Sequence, residues 1–350
     1  MKKRDTTIDI AKGIGIILVV FAHTQFPFNN IIYQFHMPLF FFLSGMVFNE
    51  NNLIPYRDFA MKKIKGLYLP FIKFEMVFCL LHNVFCYLGI YSTLSNKFII
   101  YNMKDFISQI IKIFLLGGGE SLVGPLWFLI SSLEIVFLFS ILVLIFKNAF
   151  KMREKYQLLV FISSIILFVV GCHTDLPRMM SQSFIGLFFY CIGFLYKKNR
   201  NIVPFRFSFA CLAGTLVIAI GMNYVVDISQ LQISSPMMFI ISSIAGIYVI
   251  LYISIMIKPG KIVDCLTFCG RNTIYILALH LIAFKSIILL EIFVYHLNWD
   301  LLGITPTYEI NRLWEGAFTI SGVIIPLLYI FIRNKIVRSV RYYVGTKKIV

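Results

Sequence analysis

Lys12 and His23 stand eleven residues apart in the run DIAKGIGIILVVFAH, Asp9 to His23. At 3.6 residues per turn that spacing is close to three turns, so a helix carries both side chains on one face, about 16 Å apart along its axis. A cation at one end of an apolar helix can hold an anionic group. An imidazole whose ordinary pKa is about 6.5 can take a proton at neutral pH. The pair therefore reads as an anion anchor and a general base. The structural alternatives are a snorkelling lysine and a histidine bonded to a neighbouring carbonyl. Asp9, one turn before Lys12, can pair with it. Ala11 and Gly15 form a small-xxx-small pair that admits another helix closely.

Two further stretches carry the same kind of chemistry. In FHMPLFFFLSG, Phe35 to Gly45, His36 lies a short turn away from His23, and Ser44 is a further polar candidate. Pro38 is expected to kink the helix, and broken helices at membrane depth line cavities. In FCGRNTIYILALH, Phe268 to His280, the residues Gly270-Arg271-Asn272-Thr273 read as a helix start, with Asn272 or Thr273 as cap. Free N–H groups beside an arginine make an anion site, and His280 lies about two turns further on. Arg271 reads equally as a topogenic charge and His280 as a packed polar residue. Glu134, Glu75, Lys285 and Glu291 also fall in apolar runs, where mutual pairing is the expected role. Trp127 fits an aromatic belt at the interface. GGGE, Gly117 to Glu120, reads as a flexible loop, with phosphate binding the weaker alternative.

The elements that must position these residues are membrane helices. Hydrophobic residues make up 59% of the 350-residue chain and charged residues 14%, well below the quarter usual for soluble domains. Apolar stretches near the length of a bilayer crossing mark ten spans, at 8–27, 32–48, 67–91, 124–146, 156–172, 182–196, 206–226, 236–257, 268–295 and 314–332. FISQIIKIFLLGGG is too short and too charged to cross and is expected at the interface. The formal charge of +16 tests this layout. With the N-terminus cytoplasmic, the inner segments hold 24 Lys and Arg and the outer segments five, alternating at every loop. The chain thus reads as an all-α polytopic membrane protein with about ten helices, both termini cytoplasmic, forming one domain over 1–350. The basic excess serves orientation and anionic ligands rather than nucleic acid. MKKR followed by an apolar run resembles a signal peptide, but no small-x-small cleavage site follows, so it reads as an uncleaved first span. The seven cysteines fall mostly in apolar runs, giving no disulfide framework and no metal pair. Oligomeric state leaves no signature.

The succession basic-x10-His, FHMPLFFFLSG and GRNTIYILALH, with PLWFL between, resembles the membrane-bound acyltransferase-3 family of bacteria over essentially the whole chain. The similarity is greatest to its fucose 4-O-acetylase-like branch. The resemblance implies a ten-helix domain in the bacterial inner membrane that moves an acyl group, usually acetyl from cytoplasmic acetyl-CoA, to a sugar hydroxyl of a cell-surface glycan. It implies that Lys12, Arg271 and Asn272 hold the donor's phosphates, and that His23 acts as base or acyl carrier with His36 orienting it. It implies secondary polar roles for Asp9, Ser44, Glu134 and His280, and no metal. The family's first basic position is usually arginine; lysine here offers a point charge instead of a planar fork. The rival function is a transporter or flippase for a lipid-linked sugar or small anion. A polysaccharide polymerase would need a large outer loop, and a scaffold gives no reason for three histidines near helix breaks.

Overall fold

The computed structural model describes residues 5–24, 26–92, 98–149, 155–198, 204–304 and 312–346. Helices dominate, in the order α1 (Thr6–Ala22), α2 (Asn29–Tyr33), α3 (His36–Val47), α4 (Tyr56–Lys63), α5 (Leu69–Tyr87), α6 (Met103–Phe114) and α7 (Trp127–Leu144). There follow α8 (Tyr156–His173), α9 (Met180–Lys198), α10 (Phe207–Asn223), a small hairpin of β1 (Val226–Asp227) and β2 (Gln232–Ile233), α11 (Pro236–Met256), α12 (Lys261–Arg271), α13 (Thr273–Tyr295) and α14 (Leu313–Thr346). Each of the ten expected spans contains one of these helices. Among the described residues, six continuous rods are long and apolar enough to cross a bilayer: Tyr56–Tyr87, Ser121–Lys147, Tyr156–His173, Pro236–Met256, Thr273–Tyr295 and Leu313–Ser339. Phe207–Asn223 is a shorter apolar helix.

The outer surface fits such a setting. α8 leaves Leu158, Ile162, Ile166 and Val169 exposed along its length, a patch that water would penalise and lipid covers. α6 opens with a capping box, the Asn102 side chain accepting from the Asp105 backbone N–H while Asp105 accepts from the Asn102 N–H. It buries Ile113 and exposes Ile107, Ile111 and Phe114, the two-faced helix expected for FISQIIKIFLL.

The structure moves three boundaries. The rod of the third span starts at Tyr56 rather than 67, because YRDFAMKK continues into it through a π-helical turn at Ile64–Tyr68. The second span is broken at Gln34–Phe35, between α2 and α3, and Pro38 is not the cause. Proline in a first helical turn removes an N–H that has no intrahelical partner anyway. The ninth span is broken at Asn272, between α12 and α13.

α12 packs directly on α1. A Cβ at Gly13 would collide with the Leu266 carbonyl, and one at Gly270 with the carbonyl of Asp9. The glycine of closest approach on α1 is therefore Gly13. Gly15 meets Leu39 and Phe40 of α3 instead, and Ala11 is fully buried. Gly45 of α3 and Gly193 of α9 allow the same backbone contact across a second helix pair. An aromatic layer of Phe48, Phe139, Tyr190 and Phe194 fills the core beside it.

Candidate active site

His23 closes α1, its backbone N–H reaching the Val20 carbonyl. Its half-buried imidazole faces a cavity of about 110 Å³ lined also by Tyr33, His36, Trp127 and Asp227. No hydrogen bond holds the His23 ring among the described residues. The His280 ring lies 5.0 Å away, centroid to centroid, tilted by 32°. Three histidines drawn from α1, α3 and α13 thus meet at one end of the bundle.

Two of the rings are fixed by backbone carbonyls one turn earlier. His36 Nδ1 lies 2.9 Å from the Ile32 carbonyl, and His280 Nδ1 lies 3.0 Å from the carbonyls of both Ile276 and Leu277. A carbonyl only accepts, so in the neutral ring the proton sits on Nδ1 and Nε2 keeps the lone pair. The buried His280 Nε2 has no hydrogen-bond partner among the described residues. The Tyr33 ring stands edge-on to His36 at 5.0 Å. Three polar residues missed by sequence reasoning form and support the far wall: Asp227 lines it, and Asn30 and Gln34 hold it from behind. Asn30 binds the Gly221 and Tyr224 carbonyls and accepts from the Val226 N–H. Gln34, fully buried, donates to the Tyr224 carbonyl and accepts from Ser242. These bonds hold the hairpin, on which Asp227 accepts from Ser229 and faces the histidines. An Asp two residues before a Ser is an Asx-turn signal, so the turn was readable, but its partner face was not.

From this cavity a narrow apolar slot runs alongside α1 toward the Lys12 end. It is lined by Ile16, Phe40, Phe128 and Thr273, and it shares Val19, Met37 and Leu277 with the cavity. At that end Lys12 is half-buried and within electrostatic reach of Lys63, which neighbours Lys62. Arg271 Nε donates to Asp9 Oδ2 at 3.0 Å, with Asp9 buried and Arg271 half-exposed. Asp9 thereby ties α1 to α12. Arg271 ends α12 instead of starting α13, and its charge suits that C-terminus. Asn272 caps neither helix with its side chain, which donates back to the Phe268 carbonyl. That bond closes the α12–α13 corner.

The remaining candidates lie elsewhere. Ser44 is half-buried on α3 and lines neither the cavity nor the slot. Glu134 accepts from Ser183 of α9 at 2.5 Å, a helix-to-helix bond. Lys285 donates to the Leu302 and Ile304 carbonyls and anchors the loop before α14. GGGE is neither a loose loop nor a phosphate cradle. Glu120 is buried against His82 and Tyr91, and Glu75 accepts from the Gly119 and Glu120 N–H groups. Trp127 lines the histidine cavity and a second chamber beside it. Among the described residues, no three His, Cys, Asp or Glu side chains group to hold a metal ion.

The family model described as an acyltransferase domain, acyltransferase 3, matches residues 5–331. The chain belongs to the acyltransferase-3 family. No curated protein and no solved structure matches it. Membership in acyltransferase 3 makes it a multi-pass membrane acyltransferase, and the transporter and polymerase readings give way. In this acyltransferase-3 member His23 lines the cavity, and the apolar slot beside it is lined as far as Ile16, one turn from Lys12.

Proposed function

We propose that this protein is a membrane-bound O-acyltransferase of the fucose 4-O-acetylase-like branch. It transfers an acetyl group from cytoplasmic acetyl-CoA to a hydroxyl of a sugar in a cell-surface or exported glycan, in the bacterial cytoplasmic membrane. The arrangement has ten crossings with both termini cytoplasmic, supported by the alternation of basic loops and by a helix in every expected span. That orientation puts Lys12 at the inner face and His23 at the outer.

The observation that carries the reading is the His23 imidazole. It is free of hydrogen bonds among the described residues and opens on a cavity that shares Val19, Met37 and Leu277 with an apolar slot on the Lys12 side. The chemistry of the lining fits the donor. Lys12, Lys62, Lys63 and the exposed side of Arg271 hold phosphates at one end. His23 then takes the proton of the acceptor hydroxyl as its oxygen attacks the thioester carbonyl. A C–O bond forms, the C–S bond breaks, and the imidazolium returns the proton to the leaving thiolate. His36 and Asp227 hold the acceptor and His23 in line, and Tyr33 closes the side of the cavity.

The test is transfer of radiolabelled acetyl from acetyl-CoA to cell-envelope glycan in membranes from deletion and complemented cells. His23→Ala lowers transfer at least about 1000-fold while the protein is inserted at the wild-type level. Transfer that survives this substitution removes His23 from the chemistry.

A further inference from the structure

Attack on a thioester carbonyl puts negative charge on the carbonyl oxygen before the thiolate leaves. Hydrogen-bond donors held ready for that charge are among the largest contributions to such catalysis. The histidine cavity holds about 110 Å³. One water occupies roughly 30 Å³ of the liquid, so the cavity takes only a few heavy atoms at once, and a carbonyl inside it lies near the polar groups of the wall.

Among the described residues, the polar side chains lining the cavity are His23, Tyr33, His36, Trp127, Asp227 and Ser229. An ionised Asp227 only accepts. The Ser229 hydroxyl and N–H are both spent on Asp227, at 2.6 Å and 2.9 Å. His36 gives its Nδ1 proton to the Ile32 carbonyl and keeps an acceptor nitrogen. His23 must itself accept a proton to act as base. The donors left over are the Tyr33 hydroxyl and the Trp127 indole N–H, which makes no hydrogen bond among the described residues.

Tyr33 is the better placed of the two. It lines this cavity and not the larger chamber next door, whereas Trp127 lines both. Its hydroxyl oxygen lies 3.5 Å from the carbonyl of Ala22, the residue before His23. An ordinary O–H···O bond spans about 2.5–3.0 Å, so this donor stands beside the base and is only weakly engaged. The ring packs edge-on to His36 at 5.0 Å. A phenol, with an ordinary pKa of about 10, keeps its proton at neutral pH.

We propose that Tyr33 is a catalytic residue, the donor that holds the oxyanion of the tetrahedral intermediate. The inference rests on the acyltransfer reading above and gives Tyr33 a chemical role beyond closing the cavity. The acceptor oxygen bonds to the thioester carbon and passes its proton to His23. The carbonyl π pair moves onto oxygen, and the Tyr33 hydroxyl turns from the Ala22 carbonyl to donate to it. The pair then returns, the C–S bond breaks, and the thiolate leaves with the proton held by His23. Tyr33 keeps its own proton throughout.

The experiment uses the full chain in nanodiscs, with radiolabelled acetyl-CoA as donor and envelope glycan from deletion cells as acceptor. Tyr33→Phe keeps the ring and removes only the hydroxyl. It lowers kcat about 100- to 1000-fold and leaves donor KM unchanged. Two inhibitors separate this role from packing. The methyl ketone analogue of acetyl-CoA, which stays trigonal, inhibits the variant as it inhibits the wild type. The trifluoromethyl ketone analogue, which adds a hydroxyl to give a tetrahedral carbon and an oxyanion, inhibits the variant about 100-fold more weakly. Melting curves check that the variant is folded. Equal potency of the trifluoromethyl ketone on both proteins, or a wild-type kcat in Tyr33→Phe, overturns the proposal. A large loss confined to Trp127→Phe overturns it as well and assigns the oxyanion to the indole. Failure of the acyltransfer reading shows instead in the wild type, as no label moved to glycan, and takes the Tyr33 role with it.

Discussion

His23 differs from its two neighbours in what it is bonded to. His36 and His280 each spend one ring nitrogen on a carbonyl of the preceding turn, while the His23 ring, at the end of α1, makes no such bond among the described residues. A ring with both nitrogens open can exchange a proton with a substrate; a ring pinned by its Nδ1 can orient one. His36→Gln tests this division. It keeps a polar group of similar reach but removes the imidazole. We expect kcat to fall about 10- to 100-fold, with KM for the donor unchanged, in steady-state assays of the purified protein. A rise in donor KM at constant kcat would assign His36 to donor binding instead. The three histidines were visible in the sequence as residues; that Asp227 joins them was not, because about 190 residues separate it from His36 and a single acidic residue in a loop has no pattern of its own.

At the scale of elements, two contacts set the site. The first is the α1–α12 interface, where Gly13 and Gly270 let backbones touch. Gly270→Leu forces the helices apart, and overpacking of this kind costs about 1–3 kcal/mol. The expected readout is a lower melting temperature in detergent and a raised donor KM, since Arg271 moves with α12. A melting temperature equal to wild type would show that the interface yields without strain. The second is the tie made by Glu50, just after α3, to Lys147, Lys198 and Tyr156. Burial alone would raise its carboxyl, but the bonds from Tyr156, Lys147 and Lys198 outweigh it and hold it at about 2, below the ordinary 4.5. A depressed carboxyl stabilises the folded chain fully above pH 4.5, and the contribution fades as pH falls toward 2. The group lies half-buried at the protein surface, where salt and solvent screen the pairs, so its contribution is about 1 kcal/mol or less. Melting curves are therefore flat between pH 7 and 5 with respect to this group and drop below pH 4.5, and Glu50→Gln removes that part of the drop. An identical acid profile in Glu50→Gln would show that the tie adds nothing.

At the scale of the whole molecule, the alternation of basic loops predicts which loops share a side. Alkaline phosphatase fused within 199–203 is expected to be inactive, and fused within the turn at 228–231 to be active. The reverse pattern would invert the protein and place Lys12 on the side without coenzyme A. The sequence by itself determined the membrane setting, a helix in each expected span and the nearness of His23 to His36. These follow from apolar run length, loop charge and helical period, all of which act over a few turns and are written locally. Only the tertiary structure decided that Pro38 kinks nothing, that Asn272 closes a corner, and that His82 and Glu120 wall a second chamber beside His23. Each of those depends on which distant backbones lie in contact, and contact between helices is set by packing around small residues that sequence spacing alone does not pair.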